Sequence, residues 1–167
     1  MKNMSSMSNT SHSMTEPKEI MIMIIIMFIS GLLSSMNIWV DKISDIYFHL
    51  NDVYMALLMC GWSLIIMGIY YIHGTLFTIG IIMTSIIIYC IRNQLFIDEK
   101  QYLKGMIPHH SMAVLMSKQL LDKSYNDNNM HIPKQVQKLV NHITNSQEYE
   151  INLMKSRVNY IEKIKNS

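Results

Sequence analysis

The chain has 167 residues, half of them apolar and only 16% charged, with a formal net charge of +2. A soluble globular domain carries about a quarter charged residues, so the composition argues against a freely soluble protein. The near-neutral balance gives no footing for nucleic-acid binding.

Residues 1–19 are polar, rich in Ser, Asn and Met, without periodicity, and read as a mobile tail. They do not form a secretion signal, because the apolar run begins too late and no small-residue cleavage site follows it. Met1, Met4, Met7, His12 and Met14 give the tail a Met-x-x-Met rhythm suited to Cu(I). The composition of a disordered tail explains that rhythm more simply.

Three apolar runs follow, at about 20–40, 53–72 and 75–91, and together they make residues 20–92 a three-helix transmembrane anchor. Each is close to the roughly 17–25 residues that cross hydrocarbon. None carries a charged side chain, whereas a surface helix of a soluble domain shows a polar stripe. Trp39, Tyr47, Tyr70, Tyr71 and Tyr89 lie near the ends of the runs, where amphipathic rings favour the interface. The second and third runs are joined by Ile72, His73 and Gly74, so they form a tight hairpin. The first connection, 41–52, sets Asp41, Asp45 and Asp52 against Lys42. Cys60 and Cys90 fall inside apolar runs and in no CxxC pair, which indicates neither a disulfide framework nor a thiolate metal site.

From residue 98 charge rises and the apolar residues become periodic. Residues 98–123 read as one amphipathic helix, 124–131 as an Asn/Asp-rich loop, and Pro133 as the first turn of a second helix reaching about 163. The resulting two-helix domain, 98–165, is too small to bury much core alone. Homo-oligomerisation into a four-helix bundle, or docking on a partner, is therefore expected. The overall fold class is all-α.

At 3.6 residues per turn, Leu103, Met106, Ile107, His110, Val114, Ser117 and Leu121 share a face, with His110 near its middle. Met106, His109, His110, Met112 and Met116 form one His/Met-rich patch. On the second helix, Gln147 and Glu150 interrupt the apolar series Val136, Val140, Ile143, Met154, Val158 and Ile161. An inward carboxylate is costly without a partner, and an antiparallel hairpin brings Glu150 and Met154 towards His109 and His110. A His–carboxylate core pair satisfies this pattern, and so does a His/Glu/Met metal site. Most of the 17 Met are assigned to compositional bias and core filling. Pro108 either lies inside the first helix, where it frees the carbonyl of Lys104 and bends the chain, or marks that helix's first turn.

The stretch from Met106 through Pro108-His109-His110 to Ala113, followed by Gln147-Glu148-Tyr149-Glu150-Ile151 and Met154, resembles the domain of unknown function 305 family. That resemblance implies a ferritin-like helical bundle, here in a membrane-anchored subgroup with three spans. The pieces Asp45-Ile46-Tyr47-Phe48 and Tyr54-Met55-Ala56-Leu57-Leu58-Met59 are similar to that anchor. The family has no settled activity, but some Met- and His-rich members bind copper and are linked to copper tolerance outside the cytoplasm. Carried over, the candidate ligands are Met106, His109, His110, Met112, Met116, Glu150 and Met154, with copper as the ion. The resemblance also implies an extracytoplasmic domain. The cations near the span ends, Lys42, Arg92, Lys100 and Lys104 against Lys2 and Lys18, lean the other way.

The leading expectation is a membrane-anchored copper-binding protein in the lipid bilayer, not an enzyme: there is no nucleophile triad, phosphate loop or zinc-protease motif. One alternative is a three-span copper transporter using Met55 and Met59. Against it, Gly74 and Gly80 are wrongly spaced for a Gly-x-x-x-Gly seam. A second alternative is a structural interaction module with no metal, in which His110 and Glu150 are a core pair.

Overall fold

The computed structural model describes residues 17–126 and 132–165. The described residues form five α-helices: α1 Pro17–Leu33, α2 Leu50–Tyr70, α3 Gly74–Arg92, α4 Glu99–Asn126 and α5 Lys134–Lys165. There is no strand among the described residues. The tail donors Met1 to Met14 and loop residues 127–131 lie outside the described residues.

The first apolar run does not form one helix to residue 40. It starts at Pro17, where a fixed φ and a missing N–H suit the first turn. It stops at Leu33, and beyond it Ser35 leaves the helical conformation for extended backbone, its hydroxyl accepting from the Asn37 side chain at 3.3 Å. The chain then crosses as a strap, residues 34–49, with short 3-10 turns at Met36–Trp39 and Ile43–Asp45.

α2 and α3 pack antiparallel. Ile72 takes a φ of 53°, and the His73 N–H returns to the Gly68 carbonyl at 2.8 Å, the turn that ends a helix through a left-handed residue. The seam is made close by glycines facing across the pair. A Cβ on Gly68 would lie 2.5 Å from the Phe77 nitrogen, and one on Gly80 would lie 2.7 Å from the Ile65 nitrogen. Small residues let helix backbones approach when apolar surroundings offer no drive to associate. A search for two glycines within one span misses this seam because it is shared between two helices.

Three helical segments, Pro17–Trp39, Leu50–Tyr70 and Gly74–Arg92, are long and apolar enough to cross a membrane. Both α1 and α3 run antiparallel to α2, so the strap and the α3–α4 turn leave from the same end of this bundle. There Tyr54 donates to the Leu95 carbonyl at 2.7 Å, and Gln101 accepts from the Leu50 N–H at 2.9 Å.

α4 begins where Asp98 accepts the Gln101 N–H at 2.7 Å, an N-cap contact. It runs three residues beyond the expected end. α5 begins after Pro133, whose carbonyl accepts from Gln137 at 3.1 Å. The two helices close antiparallel on Ile107, Val114, Ile151, Met154 and Val158, with Tyr47, Leu103 and Met106 packed against them. Arg157–Glu99 and the Lys100 and Lys104 contacts to Glu162 tie the start of α4 to the end of α5.

Candidate metal centre

The buried line of α4 is Ile107, Ser111, Val114 and Ser117, one step round the helix from the face that periodicity centres on His110. The cause is the strap, which covers a side of α4 that would otherwise meet solvent. His110 consequently sits at the rim of the core, with 12% of its side chain exposed.

Its ring is held at both nitrogens. Nδ1 lies 2.8 Å from the Met106 carbonyl, one turn back on the same helix. A carbonyl only accepts, so Nδ1 carries a proton. Nε2 lies 2.8 Å from Glu150 Oε2 on α5. That contact contains a proton whichever of the two groups holds it. The Glu150 side chain is 46% exposed, so the pair is open to exchange with solvent. Tethering one imidazole nitrogen to a carbonyl is how proteins orient a ligating histidine, but here the other nitrogen is taken by Glu150.

The other expected ligands divide. Met154 is buried in the hairpin core, and Met106 packs against the same cluster. His109 is exposed, its ring centroid 6.0 Å from that of His110. Met112 is half-buried. Met116 is exposed and lines a shallow apolar groove with Leu120 and Val140, away from Glu150. Among the described residues, no three His, Cys, Asp or Glu side chains come together to hold a metal. The donors that converge are one imidazole and one carboxylate.

A second polar centre, absent from the sequence reading, lies where the strap crosses α4 and α5. Ser111 is fully buried; its hydroxyl donates to Asp45 Oδ2 at 2.6 Å and accepts the Asp41 N–H at 2.8 Å. Lys155 pairs with Asp45, and Lys118 bridges Asp41 at 2.8 Å and Glu148 at 2.9 Å. Burial pushes the Asp45 carboxyl up, but Lys155 and Ser111 outweigh it and leave the group below its ordinary value. Asp41 and Glu148 hold the Lys118 ammonium above its own. These charges surround a cleft of about 270 Å³ but are already satisfied by one another. The signal in the sequence was the acidic excess of the 41–52 connection in a chain poor in charge.

At the strap's end, His49 is 2% exposed, and neither ring nitrogen has a hydrogen-bond partner among the described residues. Its Nε2 is 3.4 Å from Asp52 Oδ1, and its ring packs where Gly105 leaves room on α4. Burial lowers the His49 pKa, and the Asp52 charge only partly offsets this.

Residues 95–158, which include all seven candidate ligands, match the family described as Domain of unknown function (DUF305). The chain is also similar to "Uncharacterized protein L153" of Acanthamoeba polyphaga mimivirus. The two are 44% identical over 142 residues, covering 82% of this chain and 89% of that protein. No solved structure matches.

Proposed function

The chain belongs to the DUF305 family, and from that premise we propose that it is a membrane-anchored metal-binding module whose ion is copper. The three apolar helices cross the bilayer, and the α4–α5 hairpin is the ferritin-like part, completed as a four-helix bundle by a second copy. The resemblance that implies copper also implies an extracytoplasmic hairpin. The observation that carries the reading is His110, with Nδ1 tethered to the Met106 carbonyl and Nε2 turned towards Glu150. Met106, one helical turn before His110, and Met154, one turn after Glu150, would add soft thioether donors, which suit Cu(I) better than a hard cation. Glu150 exchanges its proton-mediated contact for the ion or for an orienting bond. Metal uptake at such a site releases a proton.

A second reading has its own support. His110 and Glu150 already satisfy each other, and no group of three strong ligands occurs among the described residues. On this reading the pair is a structural clasp between the two helices.

Cu(I) titration of the full chain in detergent, in competition with a chromogenic chelator, separates the two. The metal module predicts stoichiometric binding that is lost in His110→Ala and weakened in Met106→Leu. The clasp predicts no binding by the parent chain, with a fall in melting temperature in His110→Ala.

A further inference from the structure

A loop packed on a protein in water ordinarily turns apolar side chains inward and polar ones outward. The strap does the reverse. Its two fully buried positions are Asp45 and His49, and its half-buried ones are mostly polar too, Ser35, Asn37 and Asp41 against Val40 and Tyr47. Asn37, Asp41 and Asp45 are held on the start of α2, α4 and α5. Its outward positions include Ile38, Trp39, Ile43, Ile46 and Phe48, which are 50% to 86% exposed. Ser34, Lys42 and Ser44 are its outward polar residues, and Ser44 accepts a hydrogen bond from Lys155.

The α3–α4 turn, at the same end of the apolar bundle, keeps Leu95 and Ile97 half-buried and Asn93, Gln94 and Asp98 exposed, but turns one bulky apolar side chain outward. Phe96 is 84% exposed at a φ of 59°. A bulky residue is held in the left-handed region only when its surroundings impose it. Here the turn is fixed by the Tyr54 hydroxyl on the Leu95 carbonyl. Ile43, Ile46, Phe48 and Phe96 all lie outside the three segments long enough to span. The apolar helices alone therefore do not account for them.

We infer that the strap and the α3–α4 turn form a lipid-inserted collar. Ile43, Ile46, Phe48 and Phe96 enter the interfacial layer of the bilayer, while the strap's polar side clamps the α4–α5 hairpin. This rests on the reading that α1, α2 and α3 cross the membrane, because continuity with those helices sets the collar at the bilayer surface. Amphipathic segments lying in that layer bury their apolar face in the region between headgroups and acyl chains. Lys42, beside Ile43, has the length to carry its charge out to the phosphates. The hairpin is thus held against the membrane through a two-faced joint rather than carried on a free linker.

The test places a single Trp at position 43 (Ile43→Trp with Trp39→Phe and Trp62→Phe) in the full chain. The chain is reconstituted in phosphatidylcholine vesicles brominated either high or low on the acyl chains. Trp39→Phe alone, which keeps Trp62 on the outer face of α2, reports on the span itself. The collar predicts that bromines high on the chains dim the fluorescence at position 43 more than bromines low on them, with little loss to aqueous acrylamide. Trp62 should be dimmed by lipid bromines in the same vesicles. Quenching at position 43 by acrylamide and not by lipid, with Trp62 still lipid-quenched, overturns the collar and leaves the spans standing. Protection of position 43 from both quenchers overturns it in favour of a protein partner, a second copy included. Loss of lipid quenching at both positions overturns the collar together with the spanning reading.

Discussion

The Ser111 hydroxyl on α4 reaches Asp45 in the strap at 2.6 Å, although 66 positions separate the two residues in the chain. The same hydroxyl accepts the Asp41 N–H, so one buried oxygen pins the strap at two points. Ser111→Ala removes both bonds at once and leaves a buried carboxylate short of a donor. The expected cost is about 1–3 kcal/mol, the usual penalty for a buried polar group left without its partner. Thermal unfolding of the detergent-solubilised chain measures it. In a cycle with Asp45→Asn, the double variant should lose clearly less than the sum of the singles. Strict additivity would mean that the two residues do not act together.

Acid should undo the same contact. Asp45 is held below its ordinary value of 3.8 because Lys155 and Ser111 prevail over burial. A carboxylate whose folded pKa is depressed adds stability that is complete above its unfolded pKa and disappears as pH falls through the folded one. Glu162, held at about 2 by Lys100 and Lys104, follows the same sign at the far end of the hairpin. The α4–α5 pair should therefore stay clamped down to about pH 4 and loosen between there and about pH 2. Amide exchange along α4 reports the loosening. In Asp45→Asn, the part of the acid response centred on Ser111 should be absent.

His49 predicts a separate transition at higher pH. Burial is the larger influence and depresses its pKa below the ordinary 6.5, with the Asp52 charge opposing. An opened junction takes up a proton from about pH 6.5 downward while the closed one resists, so the junction loses stability as pH falls below that point. The direction matches the Asp45 effect, but its onset is at less acid pH. His49→Phe keeps a ring against Gly105 and cannot titrate. It should flatten the stability profile from pH 6.5 down to the onset of the carboxylate transition. A slope persisting in that window would show that another group is responsible.

The helices were legible in the sequence because their signals are local. Apolar runs without charge marked α1, α2 and α3, and step-of-three-and-four periodicity with Pro133 marked α4 and α5. The antiparallel meeting of His110 and Glu150 followed from the same periodicity, since an inward carboxylate on one helix needs a counterpart on the other. The strap was not legible. Asn37 fell inside the first expected span, Asp41 and Asp45 were only the acidic side of a connection, and no local signal paired Ser111 with them. Their partnership depends on a chain crossing made 66 residues away. For the same reason the buried face of α4 came out one step round the helix, leaving His110 at the rim. Spacing along one helix could not separate Met106, beside the core pair, from Met116, which faces away from it.

The glycine seam gives a sharp mutational contrast. A Cβ at Gly80 would fall 2.7 Å from the Ile65 backbone nitrogen and 2.8 Å from its Cγ1. The nitrogen belongs to a helix and cannot swing aside, so α2 and α3 must separate. Gly80→Ala should destabilise the solubilised chain by about 1–3 kcal/mol, the range typical of an overfilled core. Gly80→Val should cost more. Gly74, at the first position of α3, has nothing within 4 Å of the place a Cβ would occupy. Gly74→Ala should therefore leave the melting temperature unchanged or raise it slightly, because Ala loses less backbone freedom in a helix. Melting curves of both variants in one detergent decide the matter. Equal effects at positions 74 and 80 would mean that the response reflects glycine content in general rather than the close approach of α3 to Ile65.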